Sequence, residues 1–280
     1  MSRSSQPRKR DASEAASGTH QNLARASLVL QVLAFSDVDG LRLTDIIAET
    51  GLTKTVTHRL LTGLVIHGLA SHDRVSGRYF LGDRVFVWAQ RVGKRFQLAE
   101  RVIPYLQELA AEFEDTAYFL QRRGDDAVCL GRAEGSFPIK TLTLKVGDRR
   151  PLGIGSASLA IAAFFDDAEI KRLLEEHAAD RVVFGQGDEE ILLGIKTARE
   201  HGYTVHDGGL IKGMTGIGVP IRSTGGTPIA ALSIVAISSR LLGSRRLQVA
   251  GRLREIADRI ETDLRPFIDS DADAPFWRAC

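Results

Sequence analysis

The chain has 280 residues, 44% of them hydrophobic and 26% charged, with a formal net charge of +2. That is the balance of a soluble globular protein with length for two domains. No apolar run approaches the roughly 20 residues that span a bilayer, and the N-terminus lacks the apolar segment of a secretory signal. Two cysteines, Cys129 and Cys280, form neither a disulfide framework nor a zinc site. A cytoplasmic protein with no metal or cofactor is expected. The charge is unevenly placed. Residues 1–97 hold 14 Lys and Arg against 8 Asp and Glu, and the remainder 23 against 27, so the first third stands at +6 and the rest at −4. A basic segment on a mildly acidic body fits contact with a polyanion. Arg3, Arg8, Lys9 and Arg10 supply part of that excess from the N-terminal tail alone.

Residues 1–20 are rich in Ser, Arg, Lys and Ala without hydrophobic periodicity, and read as a disordered basic arm. From Gln21, Leu23, Ala26, Leu30, Leu33 and Ala34 recur at helical spacing. Residues 37–40 form a turn. A short helix follows over residues 43–50, with Leu43, Ile46 and Ile47 on its apolar side and Thr44 as a cap one turn in. Gly51 suits a left-handed helix end. Thr53 suits the cap of the next helix, which reaches His67 and stops at Gly68. Two short helices around a tight glycine turn match a helix-turn-helix. Residues 69–72 and 78–81 read as strands of a hairpin, or wing, closing the domain at residues 21–82. Residues 83–97 form a connecting helix.

The second of these helices carries the chemistry. At 100° per residue, Val56, Leu60 and Leu64 fall together with Leu61 beside them, and this side must be buried. Thr55, His58, Arg59 and Thr62 face the other way, with Lys54 at the border. Arg pairs bidentately with guanine, and Thr and Lys reach bases or phosphates. Arg74 and Arg78 on the hairpin are placed to touch the neighbouring backbone. A merely solvated helix face has the same pattern, so the hairpin is what favours double-stranded DNA.

Residues 98–268 alternate helices and strands as an α+β sensor-like domain, and residues 269–280 read as a loose tail. Strands are expected at residues 117–120, 127–132, 139–144, 203–205, 217–221 and 229–237. Helices are expected at 156–164, 167–177, 189–200 and 245–264. The stretch from Arg149 to Ser158 has small residues, Gly153, Gly155 and Ser156, that allow close approach of a ligand such as a carboxylate at a helix start. A plain loop-to-helix junction has the same composition. It is not a dinucleotide fingerprint, because the third glycine is missing. No nucleophile elbow, Walker loop or His-Glu-x-x-His motif is present, so an enzyme is not expected. A metabolic enzyme and a protein-binding winged helix remain as alternatives.

Residues 51–61 (GLTKTVTHRLL) and 77–82 (GRYFLG) closely resemble the IclR family of bacterial transcriptional regulators. So do Asn22–Ala26, the run from Val146 to Leu152, His201-Gly202-Tyr203 and Ala231–Ile234. The resemblance implies an N-terminal winged helix-turn-helix, a linker helix and a GAF-like effector domain, self-associated as dimers or tetramers on palindromic-type operators. It further implies a pocket at Gly155, Ser156, Ala157, Asp207, Met214, Gly216, Ser233 and Val235. By spacing back from Pro220, Gly216 stands at the family's usual cysteine, and Gly208 and Gly209 at its acidic positions. Those replacements imply a less polar, roomier pocket. The expected effector is a small organic acid with an apolar or aromatic body.

Overall fold

The computed structural model describes residues 12–36, 39–92, 97–140, 144–176, 178–182 and 184–273. The chain divides into two compact units, residues 1–94 and 95–280. In the first, helix α1 (Ala12–Ala34) leads through strand β1 (Leu41–Arg42) into helices α2 (Leu43–Thr50) and α3 (Lys54–Ile66). Strands β2 (Ala70–Asp73) and β3 (Arg78–Leu81) follow, then helix α4 (Asp83–Val92). The helix α1 begins inside the stretch expected to be a disordered arm. Ala12, Glu14, Ala15 and Ala16 favour helix by intrinsic propensity, which an apolar periodicity does not register. Residues 1–11 lie outside the described residues, as do 93–96 of the expected linker helix.

Local chemistry sets the helix ends. The Asp45 carboxylate accepts the Arg42 N–H at 2.9 Å, so Asp45 rather than Thr44 satisfies the start of α2. Gly51, at φ +66°, ends α2 by donating to the Ile47 carbonyl. Thr53 occupies the N-cap of α3, but its side chain makes no capping bond. Its carbonyl instead accepts both the Thr57 N–H and the Thr57 hydroxyl. Thr57, Leu61 and Leu64 are the buried residues of α3, so the buried face is turned slightly from the one expected, and Val56 and Leu60 lie at its margin. Val29, Leu33, Ile46, Leu61, Leu64, Ala70 and Tyr79 form the core of this unit.

The three strands pair in the order β1-β3-β2. Ala70 stands opposite Leu81 and Asp73 opposite Arg78. Asp73 ties the hairpin turn, accepting the Val75 and Ser76 N–H groups and the Ser76 hydroxyl. Those bonds, the Ser76 hydroxyl first, hold its carboxyl below the ordinary value.

The second unit is a six-stranded sheet in the order β6-β5-β4-β9-β8-β7, with every described pairing antiparallel. The strands are β4 (Thr116–Arg123), β5 (Asp126–Ala133), β6 (Arg149–Pro151), β7 (Thr204–Asp207), β8 (Met214–Arg222) and β9 (Pro228–Ile237). Helices α5 (Gln97–Phe113), α10 (Gly243–Asp263) and α11 (Arg265–Asp273) cover one face around Leu106, Phe119, Ile217, Leu232 and Leu253. On the other face, α6 (Ser156–Ala162), α7 (Asp167–Glu176) and α9 (Asp188–His201) pack around Tyr118, Leu120, Ile154, Ile161 and Ile195. The short helix α8 (Ala178–Val182) links α7 to α9.

Three expectations change here. The strand expected at 139–144 is not formed at Ile139, Lys140 or Leu144, and residues 141–143 lie outside the described residues. The Arg149–Pro151 stretch, expected as loop, is instead edge strand β6, paired through Arg150 to Ala127. Of the tail expected to be loose over residues 269–280, residues 269–273 are helical and 274–280 lie outside the described residues; Asp269 ties this helix to Thr224. The Asp269 carboxylate accepts the Thr224 N–H at 2.9 Å and the Thr224 hydroxyl at 2.7 Å.

Candidate functional site

The first unit presents a polar surface on α3. Lys54, Thr55, His58, Arg59 and Thr62 are all exposed, opposite the Thr57–Leu61–Leu64 face that holds the helix on the core. Arg59 makes no hydrogen bond or ion pair among the described residues. Arg74 is exposed at the hairpin tip beside Val75, which is 97% exposed. Arg78 is placed differently. Its guanidinium donates to the Gly40 carbonyl at 2.7 Å, so it braces β3 against the loop before β1. Its alternation with exposed Gly77 gave no sign of this, since the carbonyl it meets lies 38 residues earlier in the chain.

The second unit contains a small cleft where the start of α6 meets β7, β8 and β9. Arg150, Gly155, Ser156, His206, Leu210, Ile211, Met214, Gly216 and Val235 line it, and its volume is about 40 Å³. Gly155, Ser156, Met214, Gly216 and Val235 were expected there. Ala157 is instead buried in the apolar cluster behind the cleft, at 4% exposure. Ser233 lies one register step deeper on β9, opposite Tyr118 and Gly218, and is buried outside the lining. Asp207 faces away. Side chains alternate along a strand, so β7 turns Thr204 and His206 inward and Asp207 outward. The Asp207 carboxylate accepts the hydroxyls of Thr215 at 2.5 Å and Ser238 at 3.0 Å. The Thr215 bond is the larger cause of its lowered pKa.

The glycine replacements were expected to give a roomier, less polar pocket, but the cleft is small and lined in part by Arg150 and His206. A Cβ on Gly216 would lie 3.0 Å from the Ser156 Cβ and nearer still to its hydroxyl, so Ser156 fills the space the glycine leaves. Leu210 fills more. Its Cδ1 and the Arg150 guanidinium each come within 3.1 Å of where a Gly155 Cβ would stand. Arg150 and His206 supply the polarity; Arg150 lay in the candidate stretch without an assigned role, and His206 was not expected. Arg149 points outward to Asp126 while Arg150 turns toward the cleft, the period-two alternation of a strand that reads as loop in sequence. Burial lowers the Arg150 pKa, the mark of a partly desolvated guanidinium. Burial likewise lowers the His206 pKa, partly offset by Glu190, so the ring favours its neutral form. The Gln186 amide nitrogen contacts the His206 Nε2 and lies 3.4 Å from a Glu190 carboxylate oxygen. Gln186 is 5% exposed, and its Oε1 has no hydrogen-bond partner among the described residues.

A larger trough of about 630 Å³ runs between α7 and α9, floored by Ile170, Leu174, Leu192 and Ile195. Several of its rim charges are engaged in structure. Arg199 bonds the Ala163 and Phe165 carbonyls and Asp167, and Lys171 pairs with Glu175. Among the described residues no buried polar group converges on it, so the smaller cleft is the better ligand site.

Two family models match the chain. The IclR helix-turn-helix domain covers residues 22–74, and the bacterial transcriptional regulator IclR C-terminal domain covers residues 90–262. The chain belongs to the IclR family. It is thus a DNA-binding transcriptional regulator with a C-terminal effector domain, and not an enzyme. The chain is 27% identical over 221 residues to the HTH-type transcriptional regulator KipR of Bacillus subtilis, covering 78% of this chain and 87% of that one. It is 26% identical over 246 residues to the probable transcriptional regulator SauR of Cupriavidus necator, covering 85% and 96%. Among solved structures, an IclR homolog from Microbacterium hydrocarbonoxydans complexed with 4-hydroxybenzoate aligns with a TM-score of 0.65 at 25% identity. That alignment covers 88% of this chain and 99% of the other. The IclR-family regulator of Thermotoga maritima aligns with a TM-score of 0.66 at 18% identity, over 88% and 99%. Among the described residues no helix is long and apolar enough to cross a membrane.

Proposed function

We propose that this IclR-family regulator reads its operator through α3 and releases or engages it when an organic acid occupies the cleft. Lys54, Thr55, His58 and Arg59 enter the major groove, and Arg74 meets the flanking backbone. The exposed polar face of α3, set beside a hairpin tipped by Arg74, is the observation that carries this reading. Arg78 keeps a secondary part, since its bond to Gly40 fixes the wing that carries Arg74. The chain acts in the cytoplasm as a dimer or tetramer. Exposed Phe86, Val87 and Trp88 on α4 support self-association. A dimer places two reading helices about one DNA turn apart, ~34 Å.

Gly155, Ser156, Met214, Gly216 and Val235 contact the effector in this reading, joined by Arg150 and His206. Ala157, Asp207 and Ser233 act indirectly through the α6, β7 and β9 backbones. An aromatic acid is the preferred class. The apolar Leu210, Ile211, Met214 and Val235 favour such a body, and the Microbacterium homologue's 4-hydroxybenzoate is consistent with it. Binding requires the loop carrying Leu210 to move, because about 40 Å³ does not hold an aromatic ring. The test is fluorescence anisotropy of the full chain on DNA from its own upstream region, with benzoate and acetate added separately. Specific binding that benzoate alters at lower concentration than acetate is the expected result. Binding no tighter than to random DNA contradicts the DNA-reading part. Indifference to both acids contradicts the effector part.

A further inference from the structure

The hairpin between β2 and β3 ends in an apolar side chain that its own unit does not use. Val75 is 97% exposed, between exposed Arg74 and Ser76. A lone exposed valine is ordinary on a protein surface. This one is held outward by a fully bonded turn. Asp73 accepts the Val75 N–H at 3.0 Å, the Ser76 N–H at 3.2 Å and the Ser76 hydroxyl at 2.5 Å. Gly77, at φ +70°, closes the turn by donating to the Asp73 carbonyl at 2.9 Å. At the base of the tip, Arg78 stands opposite Asp73 and is braced on the Gly40 carbonyl.

The partner of this unit is double-stranded DNA. Only three residues separate the end of α3 at Ile66 from the start of β2 at Ala70. With α3 in the major groove, strands of four residues, about 13 Å long, carry the tip over the flanking phosphate ridge to the adjacent minor groove. A phosphate offers a valine nothing. The minor groove offers apolar sugar walls and the apolar edge of adenine, and side chains of this kind act there as wedges. Guanine differs in that groove by its N2 amino group, a donor that projects into the space. The methyls of Val75 cannot accept from it, so covering it leaves a donor unpaired.

Resting on the placement of α3 in the major groove, we propose that Val75 is a specificity-determining residue that enters the minor groove beside each α3 site and rejects guanine there. Arg74 anchors the tip on the flanking backbone. Asp73 is the positioning residue that holds Val75 outward.

Fluorescence anisotropy of the full chain on its own upstream DNA tests this, with the base pairs flanking each α3 half-site set to A·T, G·C or inosine·C. Inosine·C keeps the major-groove face of G·C but lacks the N2 amino group. The parent binds A·T and inosine·C flanks alike, and about five- to tenfold tighter than G·C flanks, toward the low end of the cost of one mismatched base pair. Val75→Ser brings an acceptor for the amino group and binds all three flanks alike. Arg74→Ala weakens all three in the same proportion. Asp73→Ala removes a negative charge, so it raises affinity for random DNA and at the same time reduces the preference among flanks. A preference left intact in Asp73→Ala overturns the positioning role. Equal affinity of the parent for the three flanks overturns the proposal. So do inosine·C flanks that bind like G·C, or a preference that survives Val75→Ser. In each of those cases α3 remains the reader. If the parent binds its upstream DNA no tighter than random DNA, the reading of α3 fails and the proposal falls with it.

Discussion

Replacing Arg59 with alanine separates base reading from general attraction to DNA. Arg59 is exposed on α3 and makes no hydrogen bond or ion pair among the described residues. Its loss should therefore leave unfolding free energy within about 0.5 kcal/mol of the parent. A bidentate contact to a base is worth ~1–3 kcal/mol. At about 1.4 kcal/mol per tenfold, that is roughly a 5- to 150-fold loss of operator affinity per reading helix. A dimer engaging two half-sites doubles the free-energy loss to ~2–6 kcal/mol. The assay is fluorescence anisotropy on operator and on random DNA at several salt concentrations. Affinity for random DNA should be little changed, and the slope of log affinity on log salt should stay parallel to the parent's. A phosphate contact would instead flatten that slope by about 0.9 per contact and weaken both DNAs alike. Unchanged operator affinity would remove Arg59 from the reading face and undermine the orientation assigned to α3.

Gly216→Cys should destabilise the second unit by about 1–3 kcal/mol through crowding against Ser156. Adding Ser156→Gly should recover most of that loss in urea unfolding, and a neutral single substitution would contradict the packing described. Asp115, 2% exposed, accepts Arg240 at 2.8 Å and Arg245 at 3.1 Å. Asp115→Ala should cost about 3 kcal/mol, the low end for a buried pair because Arg245 is 37% exposed. A shift below about 1 kcal/mol would show that water replaces the carboxylate. His206 has a lowered folded-state pKa, so protonation favours the unfolded chain. Its contribution is fully present above the unfolded value near 6.5 and is lost as pH falls below it. His206→Asn should therefore flatten the decline in stability below pH 6.5, and an unaltered profile would place the ring in water.

The winged helix was legible because its signals are local. Gly51, the apolar stripe of α3 and the strand-turn-strand run from Ala70 to Leu81 each follow from a few neighbouring residues. Arg78 shows where locality ends. Its position on the hairpin fitted a DNA contact, but its partner is a carbonyl brought near by the β1–β3 pairing. In the cleft, the glycine and serine of the α6 start stood out as small residues before a helix, while Gly216 on β8 was reached only through the resemblance to the family. Arg150 and His206 could not be placed, because each depends on which side of a short strand faces inward. For β6 and β7 that phase is set by pairing with β5 and β8 rather than by an alternating apolar pattern. Leu210 sits in an irregular loop with no period to read. The helix starting at Ala12 was missed for the opposite reason, since propensity there acts without an apolar face.

The central claim is that the exposed face of α3 reads a specific operator. Footprinting of the full chain on its own upstream DNA tests it most directly, comparing the parent with a Lys54→Ala, Arg59→Ala double variant. The account predicts protected half-sites centred about one helical turn apart, 10–10.5 base pairs. It also predicts loss of that protection in the variant at concentrations where the parent saturates. Protection that persists unchanged in the double variant would contradict it.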